Sequence, residues 1–255
     1  MRKNDITGIS PWDPVLALVL LTRLPLPRLP ETLFARQAAA VWAFPLAGLA
    51  VGALACAAGW LAQAAGLSAW IVAGLMLVVS VMVTGAMHED GLADTADGLW
   101  GGFTAERRLE IMKDSHIGTY GVLALILSQL LRLAALAALV ASGALWSLLA
   151  AAIWSRALMP VVMTALPNAR GAGLSQSVGR PGLWAVLLGL ALAGTLVFLV
   201  AGTAGLGPAF LAVVPVLGLG GLAKAKIGGQ TGDILGASQQ VAEIMFLLAL
   251  SAQIS

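Results

Sequence analysis

The sequence predicts an all-α integral membrane protein, a polytopic bundle of about seven transmembrane helices with a short interfacial or re-entrant helix before them. Three features carry that expectation: an excess of apolar residues, apolar runs of spanning length, and a regular alternation of charged and uncharged connections. Of 255 residues, 60% are hydrophobic and only 10% are charged, and the mean hydropathy is +0.94. A soluble domain carries roughly 25% charged residues, so this chain lacks the polar side chains to cover a water-facing surface. Alternating lumen and lipid faces, the mark of a β-barrel, are absent. The net charge of +2 is a small excess that basic residues at membrane edges explain, and no nucleic-acid partner is expected. The lone Cys56, set among Ala55, Ala57 and Ala58, excludes a disulfide framework or cysteine metal cluster within one chain.

The apolar runs fall at 38–64, 69–87, 118–140, 143–165, 182–203, 206–222 and 233–254, each near the roughly 20 residues that cross a bilayer as a helix. The earlier run 11–24 is short for a span and is expected at the interface, with Trp12 at headgroup level. It is interrupted by Arg23 and followed by Pro25, Pro27 and Pro30, so no removable signal peptide is expected. Residues 1–255 read as one membrane domain. The connections near 65–68, 141–142 and 204–205 carry no charge. The others carry Arg2, Lys3, Arg28 and Arg36, then Arg107, Arg108 and Lys113, then Arg170 and Arg180, then Lys224 and Lys226. With seven spans the two sets alternate without exception. The positive-inside rule then places the charged set in the cytoplasm and the C-terminus outside.

Chemistry concentrates in two of the cytoplasmic connections, 88–118 and 224–237. The first reads His88-Glu89-Asp90-Gly91-Leu92-Ala93-Asp94-Thr95-Ala96-Asp97-Gly98. At about 100° per residue, Asp90, Asp94 and Asp97 share one narrow stripe of a helix. Like charges at that spacing repel and lose solvation at the end of an apolar span, so a cation should offset the cost. Oxygen ligands suit a hard ion, and Mg²⁺ commonly joins a few carboxylates to substrate phosphates. The competing reading is a solvated acidic helix end. Thr104 is placed to cap a following interfacial helix, on which Glu106 and Glu110 pair with Arg108 and Lys113. Asp114 has no such partner at good spacing and is either a fourth metal carboxylate or a helix-end group. His88 and His116 are candidate proton carriers, set against the commoner role of hydrogen-bonded structural histidines.

The second connection runs Lys226-Ile227-Gly228-Gly229-Gln230-Thr231-Gly232-Asp233. Glycines let backbone N–H groups approach a phosphate, and lysines add charge. Asp233 heads the last helix, where an N-cap reading is natural. Three ionisable residues sit inside spans: Arg132, Arg156 and Glu243. They should face the bundle interior, either as internal ion pairs or, for Arg156, in contact with a substrate phosphate.

The segments HEDGLADTADGLWGG (88–102), KDSHIGTYG (113–121) and KIGGQTGDILGA (226–237), with the earlier TRLPLP (22–27), strongly resemble the adenosylcobinamide-GDP ribazoletransferase, or cobalamin synthase, family. The likeness runs along essentially the whole chain, with its motifs in family order. Glu89 stands where the family is associated with leucine. The resemblance implies a bacterial inner-membrane enzyme that joins adenosylcobinamide-GDP to α-ribazole or its 5′-phosphate and releases GMP. It implies Mg²⁺ on Asp90, Asp94 and Asp97, Asp114 either behind those ligands or as the base, and the GDP phosphates held by Lys226 and the loop of Gly228, Gly229, Thr231, Gly232 and Asp233. Which group takes the proton of the ribazole hydroxyl stays open, as does the oligomeric state. Two other classes share features with the chain. A CDP-alcohol phosphatidyltransferase would require Ala-Arg after the first Asp-Gly and a later Gly-x₃-Asp-x₃-Asp, which are not found. A cation-coupled transporter would place its acids near the midplane, whereas here they cluster at 89–106, at the cytoplasmic edge.

Overall fold

The computed structural model describes residues 8–254, so Arg2 and Lys3, counted above among the cytoplasmic charges, lie outside the described residues. Within these bounds the chain is helical without a strand, apart from an isolated bridge between Asn168 and Gln230. Helix α1 spans Asp13–Leu21, with Pro14 suited to its first turn. Its buried Asp13 accepts from Trp42 Nε1 at 2.9 Å and pairs with Arg36 at 3.2 Å. Arg36, counted above among the cytoplasmic charges, is therefore enclosed and neutralised. The short helices α2, Glu31–Phe34, and α3, Gln37–Ala40, lead into α4, Phe44–Ala64.

Helix α5 covers Ala69–Thr84 and stops after 16 residues, short of the expected 69–87. The cause is local. Gly85 and Ala86 both adopt left-handed conformations, at φ 64° and 58°, and an alanine there is strained. The chain turns by 87° into α6, Met87–Gly101, so the acidic helix leaves the path of α5 instead of continuing it. Arg23 holds the bend: its N–H donates to Val83 O at 2.7 Å, and its side chain occupies the space where a Cβ on Gly85 would project.

Then follow α7, Ala105–Ile111, capped as expected by the Thr104 hydroxyl; α8, Thr119–Ala141; α9, Ser147–Ala165; and the short α10, Leu174–Val178. The chain closes with α11, Leu183–Ala201, α12, Leu206–Ile227, and α13, Gly232–Ser251. Among the described residues, five helical stretches are long and apolar enough to cross a membrane, or six if the bent α5–α6 pair forms one span. One of the five is the 45-residue stretch Leu183–Ile227. It reverses at 202–205, so that Trp154 in α9 reaches both Gly194 of α11 and the carbonyl of Ala209 of α12.

Helices α9 and α13 are the most enclosed, and leucines and phenylalanines such as Leu199 and Phe210 cover the outer faces of α11 and α12. That is the pattern of a bundle surrounded by lipid. Small residues set the closest approach: a side chain at Gly48 would overlap Ala152 O, and one at Gly52 would lie 2.7 Å from Leu149 Cα, so α4 and α9 pack antiparallel at backbone contact. The helix ends sort into two groups. Ala204 meets Gln253 and Cys56 meets Leu145 O at the end with uncharged connections. Thr164 meets Arg180, Pro167 meets Gln230, and Leu99 meets Lys226 at the other.

Candidate active site

The acidic helix α6 crosses α13 with almost no side chain between them. A Cβ on Gly91 would sit 2.9 Å from Asp233 O, and one on Gly236 would sit 3.3 Å from His88 Cα. This contact sets Asp94, half-buried, beside Asp233, with Asp90 exposed one turn earlier. The Asp94 carboxyl is pushed up to about 7, first by burial, then by the charges of Asp233 and Asp90, against which Arg170 acts. Arg170 lies 2.7 Å from Asp233 Oδ2 and has a buried Nε without a hydrogen-bond partner. Its loop is fixed by Asn168, whose Oδ1 accepts from the amides of Arg170 and Gly171, and by paired backbone bonds with Gln230. Sequence reasoning missed Arg170 as a site residue. Its only signal was a basic residue in a connection returning to the acidic face.

Asp97 has a different task. Its two oxygens accept from the amides of Gly118 and Gly121, at 2.7 and 2.9 Å, which caps the N-terminus of α8. A side chain on either glycine would collide with that carboxylate, so the Gly-x-x-Gly spacing of 118–121 serves the cap. Asp97 adds the weakest of the three aspartate charges acting on Asp94. Asp114 does have a partner, contrary to the sequence reading: its Oδ1 contacts His116 Nδ1 at 2.7 Å and accepts from the His116 amide. A tight turn, invisible to helical spacing, brings them together. The hydrogen bond lowers the Asp114 pKa and raises that of the exposed His116. This pair lines a shallow cavity next to Asp97, together with Tyr120.

The Gly-rich loop is largely committed to structure. Gly228, at φ 79°, closes α12 with its amide on Lys224 O, and the Gln230 amide bonds Pro167 O. Gly229 has no room for a side chain against Pro167 O. Thr231, not Asp233, is the N-cap of α13: its hydroxyl accepts from the Ile234 amide, and Asp233 follows in the first turn. Lys226 Nζ donates to Leu99 O at 2.7 Å and lies 4.7 Å from the centre of the Trp100 ring, fastening the end of α6. Gly232 is exposed beside Asp233.

Deeper in the bundle, Arg132 pairs with both Glu89, at 2.9 Å, and Glu243. Arg156 lies 3.8 Å from Glu243 and donates to Ala152 O. Gln239 donates to Glu243 Oε2 and Gln240 to the same Glu89 Oε1 that Arg132 meets, which leaves the buried Glu89 Oε2 without a hydrogen-bond partner. The ion-pair reading of these residues thus describes Arg156 in this structure, and Glu89 gains a partner that sequence spacing did not suggest. His88 is 1% exposed, and its Nε2 has no partner. Among the described residues, no three acidic, histidine or cysteine groups are spaced to cage a metal alone.

A multi-pass helical bundle with an acid-rich, arginine-flanked cluster at one end defines the class: a helical membrane protein with its ionisable groups gathered at one edge. The sequence pattern of the cobalamin-5-phosphate synthase family matches residues 13–251, and the chain belongs to that family. It is 48% identical over 221 residues to an adenosylcobinamide-GDP ribazoletransferase of Bradyrhizobium diazoefficiens, covering 84% of each chain. It is 43% identical to the protein of that name from Mesorhizobium japonicum, covering 95% of this chain and 94% of the relative. For the one from Rhizobium meliloti the identity is 44%, covering 95% and 97%. No solved structure matches the chain.

The capping role of Asp97 is open to a direct test. Asp97→Ala should lower stability by about 1–2 kcal/mol, read as a lower thermal unfolding temperature in detergent. Asp90→Ala, at an exposed position without such bonds, should leave it unchanged or raise it. Equal losses would remove the distinction between the two aspartates.

Proposed function

We propose that this chain joins adenosylcobinamide-GDP to α-ribazole, or to α-ribazole 5′-phosphate, and releases GMP. The observation that carries the reading is the uncompensated charge at Asp90, Asp94 and Asp233 beside Arg170, in a chain whose relatives bear the name of that transferase. Mg²⁺ suits this donor set. It typically takes one or two protein carboxylates together with substrate phosphates, which matches acids too sparse to cage a metal by themselves. Asp90 and Asp94 would hold it, and bound there it would neutralise charge developing on the diphosphate. Arg170, paired with Asp233 and partly exposed, is near enough to the cluster to meet a phosphate oxygen with the part of its guanidinium turned away from Asp233. Asp97 and Lys226 keep α6 in place through the start of α8 and the end of α6.

In the reaction, the ribazole hydroxyl attacks the phosphorus attached to the cobinamide arm. A new P–O bond forms, the bond to the bridging oxygen breaks, GMP leaves with that oxygen, and a carboxylate of the cluster takes the hydroxyl proton. Such transfers depend mainly on positioning and electrostatics. The site is assigned to the cytoplasmic face of a bacterial inner membrane, with seven spans: α4, α5, α8, α9, α11, α12 and α13. The reversal at 202–205 and the sorting of charged connections to one end support that count.

Two experiments test the reading. Purified protein given adenosylcobinamide-GDP, α-ribazole and Mg²⁺ should release GMP and form a corrinoid with the lower nucleotide. EDTA should stop it, and Asp90→Asn or Asp94→Asn should slow it by about 10²–10³-fold. Absence of GMP with either ribazole form contradicts the assignment, CMP release from a CDP-alcohol would mark a phosphatidyltransferase, and cation-driven uptake without nucleotide release a transporter. For topology, cysteines placed at Ala105 and Ser142 in a Cys56→Ala background should label from opposite sides of the membrane, and labelling from the same side would rule out the seven-span arrangement.

A further inference from the structure

Where α7 ends and α8 begins, the chain forms a shallow cavity of about 290 Å³, walled by the end of α6 and by residues 111–120. That is just under the range of about 300–1,000 Å³ seen for drug-sized ligands, which suits a fragment such as one nucleobase. Asp97, in its wall, stands three residues beyond Asp94 on α6, about 4.5 Å of helix rise, so the cavity opens within a turn of the acid cluster. Two carboxylates line it, and they differ. Both oxygens of Asp97 are occupied by the amides of Gly118 and Gly121. Asp114 is held at Oδ1 only, by the His116 amide at 3.2 Å and by Nδ1 at 2.7 Å. Among the described residues no group bonds its Oδ2, and its side chain is 56% exposed. Ile111, Ile117 and Tyr120 supply apolar surface, the last two half-exposed.

We propose that this cavity is the subsite for the guanine of the leaving nucleotide, with the Asp114 carboxylate accepting from N1–H and N2–H and Tyr120 packing on the ring. The inference rests on the transferase reading above and assigns its leaving nucleotide a location. The charge of the walls rules against an anion. The described lining holds Asp97 and Asp114 with no lysine or arginine, and His116 is already paired with Asp114, so a phosphate would be repelled. A neutral group that presents N–H donors suits the open Oδ2. Guanine carries two such donors side by side on one edge. Adenine and cytosine set an acceptor nitrogen beside their amino group, and the single N–H of uracil lies between two carbonyls. Against a fixed carboxylate, each of these puts a lone pair where guanine puts a proton. The hydroxyl of Thr119, also in the lining, can donate to guanine O6. An aromatic side chain packs well on a base face. With the base there, the ribose and diphosphate run back along α6 to Asp94 and Asp90. Asp114 thereby recognises substrate and neither holds the metal nor takes the proton.

Nucleoside monophosphates provide a test on the unaltered protein that needs no turnover. In equilibrium dialysis with Mg²⁺, labelled GMP should bind at least about tenfold more tightly than AMP, with IMP, which lacks the amino group, between them. Asp114→Asn can keep an oxygen on His116 while setting an amide donor in place of Oδ2. It should weaken GMP at least about tenfold and tighten xanthosine monophosphate, whose C2 carbonyl accepts from that amide, by a similar factor. Tyr120→Ala should weaken GMP about fivefold or more and leave the ratio of GMP to AMP near that of wild type. Equal binding of GMP and AMP by wild type would overturn the assignment. So would Asp114→Asn if it kept the preference for GMP, or if it weakened GMP and xanthosine monophosphate alike, as a purely structural loss would. The outcome stands apart from the transferase reading. GMP binding that Asp114→Asn redirects to xanthosine monophosphate supports the cavity even if no corrinoid product forms. GMP binding that is not redirected refutes the cavity even if product forms.

Discussion

The site depends on a contact between two backbones. Where α6 crosses α13, Gly91 and Gly236 leave no side chain between the helices, and this draws Asp94 toward Asp233. The contact is reached only because α5 ends in two left-handed residues and turns by 87°, which sends α6 across the bundle instead of out of it. Arg23, in the early Thr-Arg-Leu-Pro segment, fills the inside of that turn. Lys226 on Leu99 O and Asp97 on the amides of α8 then fix the far end of α6. Residues that look like a list of reactive groups thus divide into those that shape one helix path and those that the path presents.

Charge is distributed accordingly. In the bundle interior, Arg132 and Arg156 face Glu89 and Glu243, so the formal charges cancel, and glutamine amides add hydrogen bonds to one oxygen of each glutamate. Removing one member of such a buried group costs about 3–5 kcal/mol, and the group links α6, α8, α9 and α13. At the edge the balance fails: among the described residues, Asp90, Asp94 and Asp233 are met by Arg170 alone. Arg36 and Lys226, two of the basic residues that the sequence gathers on this face, are engaged elsewhere. The site is left with a negative excess.

Much of this was legible in the sequence. The apolar runs place nearly every long helix, Thr104 caps α7 as its position suggests, and the i, i+4 spacing of Asp90 and Asp94 does put them on one face. What was hidden depends on tertiary placement. The stripe rule grouped Asp97 with its neighbours, but one further turn carries it to the start of α8, where two glycine amides take both oxygens. Thr231 took the cap expected of Asp233, since a cap requires an extended residue before the helix and Asp233 already lies inside the first turn. Asp114 found His116 through a turn that helical spacing does not describe. Arg170 and the bend at 85–86 came from loop geometry, which hydropathy does not report.

The central claim is that Asp94 sits in an uncompensated negative field until a cation and a diphosphate arrive. It is tested most directly by titrating that carboxyl with ¹³C-labelled aspartate, using Asp94→Asn to assign its signal. Without divalent cation, the account predicts a midpoint of about 7. Adding Mg²⁺ with GDP should move the midpoint down toward the ordinary carboxylate range. A midpoint of about 4 in the free protein, unmoved by Mg²⁺ and GDP, would contradict it.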